Sequence, residues 1–332
     1  YAQINLTADM DAVSVGWARL EYGENGPTLN STSANGNDWV KPSDPTPATD
    51  YFTSHGVDYN LCVFGSAADS VTLADGTTTS TVAAVVNDSN ARAQAIDALV
   101  EAAGSYAGLT IDFEGLKGDT IKKNYVTFME ELRSALPDSK TLYVCVQPDT
   151  WYTGFDYRGL GDVCDKVILM AHDYQWTSIP ESYVGTGNTV SPVTPIASVY
   201  EALRDITDPD TGVQDVSKIA LAISFGSAGF RIDSEGKLLD TTIYHPGAST
   251  LAARLAQPDT VVTYSEKYRN PYAVYTTEDG SRYKVWYEDA QSVTDKLQLA
   301  RMFSITGVSL WRVGTIPASS GYDVWSAVQA AR

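Results

Sequence analysis

Short apolar runs bounded by turn residues recur along the chain at the length of β-strands. Seven of them are well marked, and a weaker eighth precedes them. They are Asp11–Leu20, Tyr59–Gly65, Leu109–Glu114, Thr141–Gln147, Lys166–Asp173, Lys218–Phe225 and Gly307–Arg312, with Tyr1–Leu6 as the weaker run. Strands that are apolar on both faces are typical of a parallel sheet that is covered on both sides. The pattern therefore predicts a buried sheet of eight strands.

Between several of these runs, apolar residues recur at helical spacing. Asp88–Ala103 carries one such stripe, with Asn87 or Asp88 as its N-cap and Gly104 at its end. The other predicted helices are Asp119–Leu136, which Pro137 ends, Ala197–Ile206 and Ser292–Phe303. Strands that alternate with helices predict a closed (β/α)8 TIM barrel of the α/β class. An open, doubly wound sheet is the alternative, although no Gly-rich phosphate-binding fingerprint follows any strand.

The segment before the last predicted strand is too long for a simple connection in a barrel. It contains two β-prone runs, Tyr272–Thr277 and Arg282–Tyr287, joined around Asp279-Gly280, a dipeptide typical of hairpin turns. We therefore expect a small α+β insertion at about residues 230–306. The whole chain, residues 1–332, is expected to form one domain that carries this insertion.

The charge balance narrows the choice of partners. The 332 residues include 41 acidic and 23 basic side chains, which gives a net charge of −18. This surplus argues against nucleic acid or anionic lipid as a partner, because both present phosphate groups. No run approaches the roughly 18 apolar residues of a membrane-spanning helix, so we expect no membrane insertion.

The cysteines and histidines do not suggest a metal site. Cys62, Cys145 and Cys164 are odd in number, and we expect three buried free thiols rather than a disulfide scaffold or a zinc site. The three histidines are scattered, so neither a metal nor another cofactor is expected. The chain starts at Tyr1 rather than Met, with no signal-peptide pattern, and we interpret it as a piece of a longer protein.

The run Leu109–Glu114 is the most informative of the predicted strands. Side chains alternate along a strand, so Thr110, Asp112 and Glu114 share one face. The two carboxylates raise each other's cost of ionisation, and one is expected to hold a proton near neutral pH. Acids in a strand buried on both faces are costly unless they take part in chemistry. A solvated pair at the rim of the sheet is the structural alternative.

Active sites of parallel barrels lie at the carboxyl ends of the strands. In the order of the predicted strands, Asp112 and Glu114 end the fourth. The other predicted ends carry Trp17 (second strand), Gln147 (fifth), His172, Asp173 and Tyr174 (sixth) and Trp311 (eighth). Acids and aromatic rings that converge at one end of a barrel are suited to bind a sugar. The apolar faces of the sugar rings stack on indoles, while the sugar hydroxyls bond to carboxylates. Trp17 is equally compatible with a place in the core.

Three of these segments together resemble glycoside hydrolase family 18. They are Gly108-Leu-Thr-Ile-Asp-Phe-Glu114, Met170-Ala-His-Asp173 and Gly307–Trp311. The resemblance covers nearly the whole chain. The family motif is D-x-x-D-x-D-x-E, and this chain keeps its last two acids but has Ala107 and Thr110 at the first two. The Thr form resembles most the bacterial spore-germination and cell-wall-lytic N-acetylglucosaminidase branch.

The resemblance implies a retaining hydrolysis of β-linked N-acetylglucosamine-containing glycan, with peptidoglycan or spore cortex favoured over chitin. It also implies substrate assistance, in which the sugar's own acetamido oxygen attacks the anomeric carbon. Glu114 would then be general acid and base, and Asp112 would orient the acetamido group. By the same resemblance, Asp173 would help hold the N-acetyl group, and Trp311 would form the floor of the subsite for the cleaved sugar.

His172 departs from the family pattern, which has Tyr before Asp173 to contact the acetamido carbonyl. His172 could donate the same bond from a ring nitrogen, or Tyr174 could replace it from a shifted position. A histidine satisfied within the barrel is the structural alternative. The predicted substrate-binding set is Trp311, His172, Tyr174, Gln147, Trp17 and Thr110, beside the catalytic set Glu114, Asp112 and Asp173.

The expected partner is an oligosaccharide or polysaccharide that contains N-acetylglucosamine, bound by a monomer. The expected location is extracellular, at the cell surface or on the spore of a bacterium. Two alternatives stay open: a catalytically silent chitinase-like lectin and an endo-β-N-acetylglucosaminidase for N-glycans. Silent relatives usually lose the terminal Glu of the motif, so the presence of Glu114 favours the enzyme.

Overall fold

The computed structural model describes residues 2–331, and the chain forms two compact units. The first unit contains the chain up to Met170 together with Arg204–Ala220. The second contains Ala171–Leu203 together with the chain from Leu221 onward.

Strands and helices alternate through the first unit. Its strands are β1 (Ala12–Gly23), β2 (Gly26–Asn30), β3 (Asp58–Ser66), β4 (Ser70–Thr72), β5 (Thr78–Ser80), β6 (Gly108–Glu114), β7 (Thr141–Val146) and β8 (Lys166–Leu169). Its helices are α1 (Thr46–His55), α2 (Thr81–Asn87), α3 (Ser89–Ala103), α4 (Asp119–Ala135) and α5 (Tyr157–Val163). Within this unit the main sheet has the order β8-β7-β6-β3-β1-β2. All of its neighbouring strands are parallel except β2, which returns antiparallel to β1.

The second unit contains an antiparallel sheet. Its strands are β9 (Ile219–Ser224, which begins in the first unit), β10 (Ala228–Ile232), β11 (Leu238–Tyr244), β12 (Val261–Ser265), β13 (Asn270–Thr276), β14 (Arg282–Trp286), β15 (Gly307–Trp311), β16 (Ala318–Ser319) and β17 (Tyr322–Asp323). Its helices are α6 (Ile196–Ile206, which ends in the first unit), α7 (Ala248–Leu255), α8 (Ala290–Met302) and α9 (Trp325–Ala330). Five strands form a sheet in the order β11-β10-β14-β13-β12, packed on Phe230, Leu238 and Trp286. The predicted hairpin around Asp279-Gly280 is confirmed by the antiparallel pairing of β13 and β14.

Helix boundaries follow the capping signals in the sequence. The carboxylate of Asp88 accepts hydrogen bonds from the N–H groups of Asn90 and Ala91 at the start of α3, and Gly104 ends that helix. The other three predicted helices are confirmed within one or two residues as α4, α6 and α8. The three cysteines are buried free thiols, as expected.

The predicted strand at Tyr1–Leu6 is wrong. Ile4–Asp9 forms a 3-10 helix, in which the hydroxyl of Thr7 donates to the carbonyl three residues earlier at 2.6 Å, while Tyr1 lies outside the described residues. Polar side chains that bond the nearby backbone favour tight turns over a sheet ladder. The two acids of β6 therefore end the third long parallel strand of the first unit rather than the fourth.

Two further strand ends differ from the predictions, and one helix was not predicted. β8 ends at Leu169, so Asp173 lies four residues beyond the strand, and β1 continues to Gly23 rather than ending near Trp17. The apolar run Thr81–Asn87 forms the buried helix α2, which the hydroxyl of Ser80 caps. A short apolar run cannot be assigned to helix or strand by periodicity alone, and here the Ser cap selects the helix.

A buried ion pair ties α8 to the chain before it in the second unit. Lys296 and Glu288 are both almost fully buried, and Nζ of Lys296 lies 2.8 Å from Oε2 of Glu288. The hydroxyl of Ser292 donates to the same oxygen at 2.6 Å, and the amide of Asn270 donates to Oε1 at 2.9 Å. Both carboxylate oxygens and the ammonium group are therefore satisfied, which offsets the cost of burying the two charges.

Glu288→Gln is expected to destabilise the protein by roughly 3–5 kcal/mol, because it leaves the ammonium group of Lys296 buried without its counter-charge. Urea unfolding would measure this loss. Glu235→Gln is the matched control, since it breaks an exposed pair with Lys237 and should cost at most about 1 kcal/mol. Equal losses in the two variants would contradict the structural importance of the buried network.

Candidate active site

β6 presents its acids on the face opposite to its helix contacts. Phe113 packs against the rings of Tyr125 and Phe128 on α4, with centroids 5.7 Å apart in both cases. Its neighbours Asp112 and Glu114 therefore point to the other face of the sheet. Asp112 is buried, with 4% of its surface exposed, and Glu114 is half-buried at the carboxyl end of the strand.

The surroundings of Asp112 keep it protonated to an unusually high pH. Burial, with a further contribution from the nearby Glu114, raises its pKa to about 7, while a hydrogen bond from the thiol of Cys145 opposes the shift. The parallel register places Phe64 of β3 directly beside Asp112. Within residues 2–331, Oδ1 of Asp112 is buried and has no hydrogen-bond partner. Such an orphaned oxygen is costly, and it is available to a donor on a ligand.

Thr110 and Gln147 make hydrogen bonds that fix the backbone near Asp112 and Glu114. The hydroxyl groups of Thr110 and Ser14 lie 2.7 Å apart, which ties β6 to β1 below Asp112. The side-chain oxygen of Gln147 accepts a hydrogen bond from the N–H of Gly115 at 2.6 Å. The contact fixes the turn after Glu114, where Gly115 adopts a positive φ of 77°. Through these contacts, Thr110 and Gln147 stabilise the positions of Asp112 and Glu114.

Trp17 does not lie where the sequence placed it. It is the extra residue of a β-bulge in β1, between the paired positions Gly16 and Ala18, and so lies well before the end of the strand. Its ring packs edge-on against Tyr106, which precedes β6, at 6.3 Å. The acids lie at the opposite end of β6. This contact favours the core role for Trp17 over the sugar platform.

Trp39 packs against Phe64, a neighbour of the acid pair in the first unit. Its ring stacks on Phe64 at 4.6 Å with an interplanar angle of 4°, beside the position of Asp112. The loop that carries Trp39 is fixed by the buried amide of Asn37, which donates to three backbone carbonyls and accepts from the N–H of Trp39. A β-carbon at Gly16 would lie 2.9 Å from the indole, so glycine is required there.

In the second unit, Asp173 is the centre of a hydrogen-bonded group. The hydroxyl of Ser224 donates to Oδ1 at 3.0 Å, and Nδ1 of His172 lies 2.9 Å from Oδ2. Burial works to raise the pKa of Asp173, but hydrogen bonds from His172, Ser224 and Gln175 outweigh it, so the pKa lies below its ordinary value. Asp173 also adopts a left-handed backbone conformation, with φ of 58°. A non-glycine residue holds this conformation at a cost, which is typical of functional sites.

Tyr174 and Trp311 also lie in the second unit. Burial, with a smaller contribution from Glu201, raises the pKa of Tyr174 well above its usual range, so the phenol stays neutral. Trp311 ends β15 with 42% of its surface exposed, which is unusual for an indole. The guanidinium of Arg312 lies 5.7 Å from the centroid of that ring. The carbonyl of Trp311 accepts from the N–H of Phe225 at 3.2 Å, and this bond fixes the strand end.

Between residues 2 and 331, no group of three or more His, Cys, Asp or Glu side chains is arranged to hold a metal ion. Over the same range, no helix is long and apolar enough to cross a membrane.

Comparison with known proteins gives a consistent assignment. A family model described as Glycosyl hydrolases family 18 matches residues 73–315. The sequence is 25% identical over 247 residues to the putative sporulation-specific glycosylase YdhD of Bacillus subtilis (strain 168), covering 72% of this chain and 54% of that protein. It is 24% identical over 241 residues to the cortical fragment-lytic enzyme of the same organism, covering 69% and 52%. The chain thus spans about half the length of the curated relatives it matches.

A solved structure extends the match over the whole chain. The chitinase from Chromobacterium violaceum ATCC 12472 superposes with a TM-score of 0.73 at 23% identity, covering 100% of this chain and 94% of that one. Together with the family match, this likeness confirms the predicted (β/α)8 TIM-barrel fold.

Proposed function

The chain belongs to family 18 of the glycosyl hydrolases, and from this premise we propose that it is a retaining glycosidase for β-linked N-acetylglucosamine-containing glycans. The observation that carries the proposal is the acid pair of β6. Asp112 is buried with a pKa raised to about 7, and Glu114 stands two residues later at the carboxyl end of the strand. Two acids whose surroundings separate their protonation are the usual basis of acid and base catalysis.

The proposed reaction begins with proton transfer from Glu114 to the glycosidic oxygen as its bond to the anomeric carbon breaks. The acetamido oxygen of the same sugar forms the new bond to that carbon, so the enzyme supplies no nucleophile. A water molecule then attacks the anomeric carbon, gives its proton to Glu114 and reopens the cyclised group. Two successive inversions at the anomeric carbon retain the configuration.

Asp112 is proposed to bind the acetamido N–H through its orphaned Oδ1. This bond would turn the acetamido oxygen toward the anomeric carbon and stabilise the positive charge that forms on the cyclised group. The charge of Glu114 contributes to the raised pKa of Asp112, and we propose that the proton held by Asp112 near neutral pH passes to Glu114 when Asp112 binds the ligand. The role that the family resemblance implies for Asp173 stays a prediction.

Spore cortex or peptidoglycan is the substrate we propose. One relative is named as a cortical fragment-lytic enzyme and another as a putative sporulation-specific glycosylase. Chitin is the competing choice because a chitinase shares the fold. We accordingly propose that the protein works at the spore or cell wall.

Mass spectrometry of reaction products would test the proposal. Wild type and Glu114→Gln would be incubated side by side with cortex muropeptides and with chitooligosaccharides. We expect fragments ending in N-acetylglucosamine from wild type alone, and the preferred substrate would separate cell wall from chitin. Binding of both glycans without any product would support the lectin instead, and products from N-glycans alone would support the endo-glycosidase.

A thiazoline analogue of the cyclised acetamido group is expected to inhibit competitively. It resembles the intermediate that substrate assistance requires, and such analogues bind far more tightly than substrates, typically by a factor of roughly 10² or more. The inhibition constant would be compared with the KM of a chitooligosaccharide. Turnover that the analogue does not affect would exclude substrate assistance and require a carboxylate nucleophile.

A further inference from the structure

Asp173 fixes the position of the proton on the ring of His172. An ionised carboxylate only accepts hydrogen bonds, and the pKa of Asp173 lies below its ordinary value. Nδ1 of His172 lies 2.9 Å from Oδ2 of Asp173, so Nδ1 must be the nitrogen that carries the proton. In a neutral imidazole the other nitrogen is then an acceptor.

The carboxylate that orients the ring is itself held on several sides. Ser224 donates to Oδ1 at 3.0 Å, and the oxygen of Ser224 accepts in turn from the N–H of Gly226 at 3.3 Å. A β-carbon at Gly226 would lie 3.2 Å from Oδ1 of Asp173, so a larger residue there would press on the carboxylate. The left-handed backbone of Asp173 turns its carboxylate into this group of donors. Such a chain of contacts leaves the carboxylate little freedom to release Nδ1.

The second ring nitrogen of His172 remains for an outside partner. Only 10% of the side chain is exposed, and the hydrogen bond that the described chain gives the ring is the one at Nδ1. We propose that His172 binds the glycan as a hydrogen-bond acceptor through Nε2, with Asp173 and Ser224 as positioning residues that keep the proton on Nδ1. The inference rests on the proposed function, because it takes a glycan as the ligand.

The chemistry of the contact follows from the proton position. A neutral His172 with its proton on Nδ1 cannot donate from Nε2 to the acetamido carbonyl, which is the role of the family's Tyr. It accepts instead from a donor on the ligand, and because Asp112 is proposed to take the acetamido N–H, the donor for His172 is a sugar hydroxyl. His172 thus recognises a hydrogen-bond donor on the glycan, whereas the family's Tyr recognises an acceptor.

Nitrogen-15 NMR of the histidine rings at neutral pH tests the proton position without any substrate. We expect Nδ1 of His172 to carry the proton and Nε2 to be bare. His245 is the internal reference, because its Nδ1 lies 2.7 Å from the carbonyl of Ser227, which also accepts only. Asp173→Asn should move part of the proton population of His172 to Nε2 and leave His245 unchanged. A proton on Nε2 in wild type would overturn the proposal.

Glycan binding tests the acceptor role. Binding of a chitooligosaccharide would be measured in the Glu114→Gln background, where the ligand is not consumed. His172→Phe removes the acceptor and should raise Kd roughly 3- to 10-fold, the effect of one net hydrogen bond. His172→Gln offers an amide oxygen near the position of Nε2 and should recover part of the affinity. Unchanged affinity in both variants would overturn the inference alone, whereas failure of every variant to bind either the chitooligosaccharide or cortex muropeptides would overturn the proposed function.

Discussion

Glu114→Gln is expected to lower kcat by roughly 10³- to 10⁴-fold while leaving the affinity for chitooligosaccharides within about twofold of wild type. The amide has nearly the shape of the carboxyl group but cannot transfer a proton, and Glu114 stands at the open end of β6, so its replacement opens no cavity. Steady-state kinetics would give kcat, and titration calorimetry would give the dissociation constant.

Glu101→Gln is the matched control for this variant. Glu101 lies exposed on α3, away from the carboxyl end of β6, and its replacement should change neither quantity. Turnover that survives in Glu114→Gln at more than about a tenth of the wild-type rate would remove Glu114 from the role of general acid. Loss of both turnover and binding would indicate a structural defect, which the thermal unfolding curve of the same sample would reveal.

The location of Asp112 and Glu114 was predictable because it depends on one strand alone. Alternation along β6 fixes which side chains share a face, and apolar residues on both sides require the strand to be buried. The helices on either side were predictable for a similar reason. Asp88 marks the start of α3 because its side chain accepts hydrogen bonds from nearby N–H groups, without any distant contact.

The residues that the sequence did not reveal depend on distant contacts. Trp39 reaches Phe64 only because Asn37 folds the intervening loop, and no periodic pattern marks such a loop. Ser224 meets Asp173 across 51 positions of sequence. Trp17 was misplaced because β1 continues past it to Gly23, and the bulge at Trp17 has no signature in the pattern of apolar residues.

The residue at one altered position of the family motif, Thr110, affects how the raised pKa of Asp112 is explained. Thr110 replaces an acid of the family motif, and its hydroxyl lies 2.7 Å from that of Ser14 rather than beside a further carboxylate. With a neutral residue below it, the raised pKa of Asp112 arises first from burial and then from Glu114. The pair can therefore be studied as two coupled groups rather than three.

Asp112→Asn is expected to lower kcat by roughly 10²-fold or more and to move the basic limb of the pH profile to lower pH. In wild type, ionisation of one carboxyl opposes ionisation of the other, so the pair keeps a proton up to a pH of about 7. The amide of the variant carries no charge, so Glu114 alone would lose its proton at a lower pH. Rates measured from pH 4 to pH 9 would define the limb, with the exposed Asp97→Asn on α3 as the control.

The stability of the same variant gives a readout that does not need turnover. The pKa of Asp112 rises from 3.8 in the unfolded chain to about 7 in the folded protein, so the folded state binds the additional proton between these values. Its stabilising effect is complete below pH 3.8 and is lost as the pH rises through about 7. Asp112→Asn cannot ionise and so does not show this pH-dependent loss of stability. The free energy of unfolding of the variant relative to wild type should therefore rise by up to about 4 kcal/mol between pH 3.8 and about pH 7. Above that pH the difference should stay constant. A difference that does not change with pH would mean that Asp112 ionises normally in the folded protein, and the coupling between the two acids on which the proposed reaction depends would be absent.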